Sequence, residues 1–189
     1  MPALPNPASP SSPASPGASY EAPFELLAAC HNKVRNSLEL LQRLVTHLRE
    51  QGLDRQARDA AQDVLRYFDI AAPLHHEDEE RHVFPAVDAL GDLTLGRACQ
   101  RLRDEHQRLA AQWEVLRAQL FQIGRLADGQ VPAIQLDLLA RAAETFIQTH
   151  DSHLKTEDEL ILPCALDRLD AEQLAAMGAE MASRRGLNR

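Results

Sequence analysis

Leu27, Val34, Leu38, Leu41, Val45 and Leu48 recur at steps of three, four and seven, the spacing of one apolar helix face. Gly52 ends that run, and Asp54 can cap the next helix by accepting from a free backbone N–H. A second stretch carries Val64, Leu65 and Phe68, then Val83, Phe84, Val87 and Leu90. Pro73 lies inside it and should kink the helix or restart it just before His75, because proline removes one helix hydrogen bond and crowds the preceding turn. Gly91-Asp92 marks the next break. A third helix runs through Leu102, Leu109, Trp113, Leu116 and Leu120 to Asp128-Gly129. Pro132 opens a fourth with Leu136, Leu139, Phe146, Ile161 and Leu162, and Asp170 with Gln173 forms a capping box for a short fifth helix through Met181. Strand alternation is absent. Long helices joined by short turns pack as antiparallel neighbours, so the pattern predicts an all-α, up-down-up-down four-helix bundle over residues 20–169 with a C-terminal helix and tail over 170–189. Residues 1–19 hold six Pro, five Ser and four Ala without a charge, a composition that predicts a disordered tail.

Composition narrows the field. The 189 residues are 44% apolar and 25% charged with a net charge of −8, which argues against a nucleic-acid binder. No apolar run is long enough to cross a bilayer. The first residues have neither the charge nor the apolar core of a secretory signal. Three widely spaced cysteines, Cys30, Cys99 and Cys164, fit neither a disulfide framework nor a cysteine zinc site, so a cytoplasmic location is expected. Eight histidines are the first pointer to chemistry.

Those histidines sit in a repeat. HHEDEERHVFP from His75 matches HLKTEDELILP from His153: each has His-x-x-x-Glu, an apolar pair, and Pro six residues after the Glu. A spacing of four puts imidazole and carboxylate on one helix face. One such pair is most simply a surface ion pair; the duplication and the matched proline are what outweigh that reading. Further histidines precede each copy, His31 by 44 residues and His106 by 47. Measured from the turns at Gly52, Gly91 and Gly129, the four histidines fall at one level to within roughly 3 Å of helix rise. His76 and Glu80 share the four-residue spacing, but their counterparts in the second copy are Leu154 and Asp158, so the repeat favours His75 and Glu79.

Four imidazoles and two carboxylates are too many for one tetrahedral zinc and too rich in nitrogen for magnesium or calcium. Two six-coordinate irons accommodate them, with bridging carboxylates, a shared oxo or hydroxo group, and places left for a small ligand such as dioxygen. Manganese or zinc are possible substitutes. A ferritin-like centre would need two Glu-x-x-His motifs, and only Glu79 to His82 has that spacing.

At this point residues 21–169 resemble the hemerythrin-like HHE cation-binding domains, on the two strings above and the upstream His31 and His106. The resemblance implies a non-haem di-iron centre with His31, His75, Glu79, His106, His153 and Glu157 as ligands, Glu79 and Glu157 bridging. It also implies a protein that binds or senses dioxygen or nitric oxide, or that handles iron. Oxygen-carrying relatives have His-x-x-x-His on the third helix; here Ala110 stands four residues after His106, which implies a more open site.

The remaining candidates have plainer readings. His47 belongs on the surface, and His82 on the surface or behind the ligands. His76 is expected to be solvated or to stand behind the ligands, and His150 to line the bundle or assist them. Cys30 and Cys164 flank the motif but read first as small apolar residues. Trp113, Phe84, Phe121 and Phe146 read as core. Glu77, Asp78, Glu80, Asp158 and Glu159 read as a solvated acidic face, or as a cation-attracting one. A binding or sensing module for a small ligand (dioxygen, nitric oxide or peroxide) is the leading expectation, with no membrane partner. The alternatives are a di-iron redox enzyme acting on peroxide or nitric oxide, an iron donor for Fe–S cluster repair, and a helical protein acting through contacts alone. No cysteine in the tail speaks for cluster repair.

Overall fold

The computed structural model describes residues 19–187; the expectation of disorder in the N-terminal tail falls, but for Ser19, outside them. Five helices make up the fold: α1 (Pro23–Glu50), α2 (residues 55–88), α3 (Leu93–Gly124), α4 (residues 133–166) and α5 (Ala171–Arg184). No strand occurs among the described residues, and no helix there is long and apolar enough to cross a membrane. Asp54 accepts from the Ala57 N–H and Asp92 from those of Thr94 and Leu95, while Asp170 and Gln173 form the reciprocal box. These caps hold the helix starts that the sequence predicts.

Helix α2 corrects one expectation. It does not restart at Pro73 but passes through it by widening: Tyr67–Ala71 is π-helical, and so are Glu79–Val83 in α2 and Glu157–Ile161 in α4. Each π segment ends two residues before a proline, Pro73, Pro85 or Pro163. A proline ring crowds the carbonyl four residues back. The preceding N–H instead reaches five residues back: Ala72 to the Tyr67 carbonyl, Phe84 to Glu79, Leu162 to Glu157. Two of the three widened turns therefore begin at the motif glutamates.

Helix α1 packs on α2 and α4, and α3 packs on the same two, so the four long helices close a ring, with α5 laid against α1. At one end Leu53 and Gly129 exchange backbone hydrogen bonds of 2.7 and 2.9 Å. Gly52 precedes that bridge at φ 82°, and a Cβ there would stand 2.4 Å from the Gly129 carbonyl oxygen, so only glycine fits. At the other end a Cβ on Gly178 would overlap the Tyr20 carbonyl at 1.7 Å, which is how α5 lies flat on the start of α1.

The core is divided. One apolar cluster runs from Val34 through Phe68, Trp113 and Phe146; the other joins Leu27, Phe84, Leu102 and Ile161 to Met177 and Met181 of α5. Phe121 is not core as its residue type suggests: it is 47% exposed under the Arg117 guanidinium, because Trp113, Leu116, Leu120 and Ile123 already fill the inward stripe. His31 lies between Leu27 and Val34, which belong to different clusters, and His106 lies likewise between Leu102 and Leu109. A polar layer thus separates two apolar halves. Each buried Leu or Phe contributes roughly 1.5–3 kcal/mol, which offsets the several kcal/mol that each buried charge costs.

Candidate metal centre

Each long helix delivers one imidazole to that layer: His31 from α1, His75 from α2, His106 from α3 and His153 from α4, none more than 5% exposed. Glu79 and Glu157 lie one turn beyond His75 and His153 and are fully buried. All six sequence candidates converge. Glu79 Oε1 is 3.3 Å from Nε2 of both His31 and His75, and its Oε2 is 3.5 Å from His106 Nε2. Glu157 divides in the same way, with Oε2 3.4 Å from His31 and Oε1 3.0 Å from His153 and 3.8 Å from His106. The donors therefore fall into two quartets that share both carboxylates: His31, His75, Glu79, Glu157 and His106, His153, Glu79, Glu157.

The outer nitrogens are held by acids. Nδ1 of His31 donates to Asp158 at 2.6 Å, that of His106 to Glu80 at 2.8 Å, and that of His153 to Glu105 at 3.0 Å. Such a carboxylate fixes the tautomer, so Nε2 faces inward with its lone pair free. The consequence is visible between His106 and His153, whose Nε2 atoms face each other at 3.1 Å. Two lone pairs cannot sit at that distance without a cation or proton between them. Glu79 Oε2, both Glu157 oxygens and both nitrogens of His75 are buried without a hydrogen bond. Orphaned polar atoms at this density are costly, and a positive charge at the centre would satisfy the carboxylate oxygens and the inward Nε2 of His75 together. The donor set fits a metal.

The proton balance of the metal-free site points the same way. Burial alone would depress His31 and His153, but Asp158 and Glu79 hold His31 up to about 9, and Glu157 and Glu105 hold His153 up to about 10. Burial, then the Glu157 charge, pushes Glu79 up to about 7. Burial would raise Glu157 as well, but the His153 and His106 imidazoles hold it low. His75 is kept neutral by burial and by His31. Protons occupy the place of a metal cation, and either one lets two carboxylates share a dry site.

Some expectations change here. Asp78 is not on a solvated face: it is fully buried and bound by Arg184 and Arg185 of α5. Glu80 and Asp158 are partly exposed but hold the outer nitrogens of His106 and His31 rather than solvating a surface. Glu105 does the same for His153, which the sequence reading missed. The repeat carried a signal for two of the three, since an acid follows the motif glutamate in both copies. His76 is half-buried and stacks on His106 at 4.0 Å and 10°, and one nitrogen of each of His76, His106 and His153 falls within a common 4.8 Å. His82 pairs with Glu180 of α5 at 2.8 Å. His47 is not a free surface residue; it is only 13% exposed and bonds Asp54, the α2 cap. His150 is buried but lies in neither donor quartet. Burial pushes the Cys30 thiol up, away from the thiolate that redox chemistry needs.

A cavity of about 210 Å³ opens beside the layer between α2 and α3, bordered by His76, Ala110, Trp113 and His150.

The family model described as Hemerythrin HHE cation binding domain matches residues 22–165. An uncharacterized protein of Haemophilus influenzae is 31% identical over 168 residues, covering 89% of this chain and 92% of that protein.

Proposed function

The chain belongs to the hemerythrin HHE cation-binding domain family, and from that premise we propose that its two quartets hold a non-haem di-iron centre which binds a small ligand such as dioxygen or nitric oxide, or handles iron. The observation that carries this reading is the division of oxygens: each carboxylate turns one oxygen towards one pair of imidazoles and the other oxygen towards the second pair. A single ion would need no such sharing. Oxygen-rich metals such as magnesium are disfavoured by four nitrogens. The ring of helix contacts supports the up-down-up-down arrangement of the four long helices that frames the centre.

When bound, an iron pair supplies a redox couple and open coordination positions for a small ligand. The chain's own residues do the rest. Asp158, Glu80 and Glu105 keep the Nδ1 protons outward, so three imidazoles enter the site with fixed orientation. The two apolar clusters exclude water from both sides of the layer. His75, with no acid behind it, is the least firmly held of the four.

The test is metal content after anaerobic purification, followed by the visible spectrum as air is admitted. About two irons per chain with a new, reversible absorption band are expected for a ligand-binding pair. Absence of iron after anaerobic reconstitution would overturn the reading. One observation favours a second reading, a redox enzyme acting on peroxide or nitric oxide: the cavity comes within one ring of the centre, its lining residue His76 stacking on His106. Iron that is retained but turns over added peroxide, without a reversible oxygen band, would decide for it.

A further inference from the structure

The cavity between α2 and α3 is built as a site of its own. The widened turn Tyr67–Ala71, which has no counterpart in α4, supplies Phe68 and Asp69 to the cavity's lining, and Ala72 follows directly. Phe68, Ala72, Leu109 and Phe146 form an apolar floor, Trp113 a wall, and exposed Asp69, Pro73, Ala110 and Glu114 the mouth. The volume of about 210 Å³ is far more than a diatomic gas needs; an apolar cavity of about 150 Å³ already takes benzene.

Two imidazoles interrupt the apolar lining, His76 towards the centre and His150 at the floor. His150 is 1% exposed, with its ring against Phe146 at 4.4 Å and Phe68 at 5.5 Å. Its Nδ1 donates to the Phe146 carbonyl at 3.0 Å, which fixes the tautomer and leaves Nε2 an acceptor. That Nε2 has no partner. A buried acceptor without a donor is rare, and the donor quartets do not use this one. At the mouth, Asp69 and Glu114 add negative charge. Asp69 is engaged by Trp113 Nε1 and by Arg117 at 2.9 Å each, while Glu114 disfavours an anionic ligand.

We propose that this cavity binds a small, neutral, largely apolar molecule with one hydrogen-bond donor, a phenol being the simplest of its class, with His150 Nε2 accepting the hydrogen bond. Binding does not depend on the metal. That the ligand would lie one ring's thickness from the centre, behind His76 stacked on His106, rests on the function proposed above.

Trp113 is the only tryptophan of the chain and lines the cavity, so its fluorescence reports occupancy. Phenol, toluene and benzoate are titrated into the full-length chain, as purified and after iron loading, with metal content measured separately so that failure of the metal reading is recognised on its own. Saturable binding of phenol in both forms is expected, with toluene roughly five- to tenfold weaker for want of the hydrogen bond and benzoate not binding. Ala110→Phe, at the exposed mouth, should weaken phenol at least about tenfold by filling space. His150→Leu should erase the preference of phenol over toluene; if that variant does not fold, the preference in the unaltered chain answers the question. No saturable response to phenol in the loaded chain would overturn the proposal. So would indifference to Ala110→Phe, or toluene bound as tightly as phenol, which would mean that water already satisfies His150.

Discussion

The two copies of the motif, residues 75–85 and 153–163, do the same thing at the centre and different things everywhere else. In both, the histidine presents Nε2 inward, the glutamate opens a π-helical turn, and a proline closes it. In both, the acid after the glutamate reaches across to the other half: Glu80 holds His106, and Asp158 holds His31. The positions that differ face other neighbours. His76 faces the cavity where Leu154 is core. Asp78 is clasped by α5, where Thr156 only bonds the Ser152 carbonyl of its own helix. Similarity covers the side chains that meet at the layer and the apolar pair and proline that follow them, and divergence lies on the other helix faces. The repeat therefore marks the chemistry, and its departures mark what is particular to this chain.

The strongest attack on that symmetry is to remove one shared carboxylate. Glu79→Gln and Glu157→Gln should each reduce iron from about two per chain to less than one, since either loss removes a donor from both quartets. Metal analysis after anaerobic reconstitution checks it. A variant that keeps one full equivalent of iron would mean that the carboxylates are not shared.

Protons should leave symmetrically too, one from each half. His31 and His153 have raised pKa values of about 9 and 10 in the metal-free chain, so both are protonated near neutrality and metal must displace both. Their raised values stabilise the metal-free fold fully below about 6.5, the unfolded value, and that contribution is lost as pH rises through about 9 and 10. Metal binding has the opposite sign, gaining as the protons leave. The thermal shift on metal addition should therefore widen from pH 6.5 to 9, and calorimetry in buffers of different ionisation heat should count about two protons released at about pH 8. Glu79, raised to about 7, adds to the count below neutrality. A shift that is flat with pH would remove His31 and His153 as proton-bearing ligands.

Asymmetry has its own test in Asp78 and Thr156. Asp78→Ala leaves Arg185 without its carboxylate partner and takes one of three from Arg184, which keeps Glu77 and Glu180; the two guanidiniums are only 17% and 14% exposed. The cost should be about 2–3 kcal/mol, below the range for a wholly buried pair because solvent screens part of it. Thr156→Val should cost less than about 0.5 kcal/mol, since the hydroxyl bonds only its own helix. Urea unfolding of the metal-free chain compares them directly, and equal losses would mean that α5 contributes nothing through this clasp.

Helix boundaries, caps and the convergence of His31, His75, Glu79, His106, His153 and Glu157 were legible because each rests on local spacing that the helix repeat converts directly into position. What was not legible depends on registry between helices. Asp78 read as solvated because nothing in its own segment reveals Arg184 and Arg185, more than a hundred positions on. Glu105 was hidden for the same reason. Of the two outcomes expected at Pro73, the restart fails because a helix can absorb a proline by widening as well as by breaking, and local spacing does not distinguish them.

The crossed braces come next in size. Glu80→Gln and Asp158→Asn should each weaken iron binding roughly 10- to 100-fold, the usual cost of losing a group that orients a ligand histidine. Chelator competition measures it, and the two losses should agree within about threefold if the halves are equivalent. A large loss from one and none from the other would make the cross-bracing incidental.

His76→Leu should do least. The substitution writes into the first copy the residue that Leu154 already provides in the second, where it packs at 2% exposure. Although one His76 nitrogen lies near those of His106 and His153, its ring is stacked face to face on His106, 10° from parallel. An imidazole lone pair lies in the ring plane, so two stacked rings aim along parallel planes rather than at one point. His76 would have to turn out of the stack to share a metal with His106. Iron should remain at about two per chain, with affinity changed less than about threefold, since neither quartet loses a donor. Loss of one equivalent would mean that the ring does turn, and that the first copy supplies a third imidazole to the second quartet.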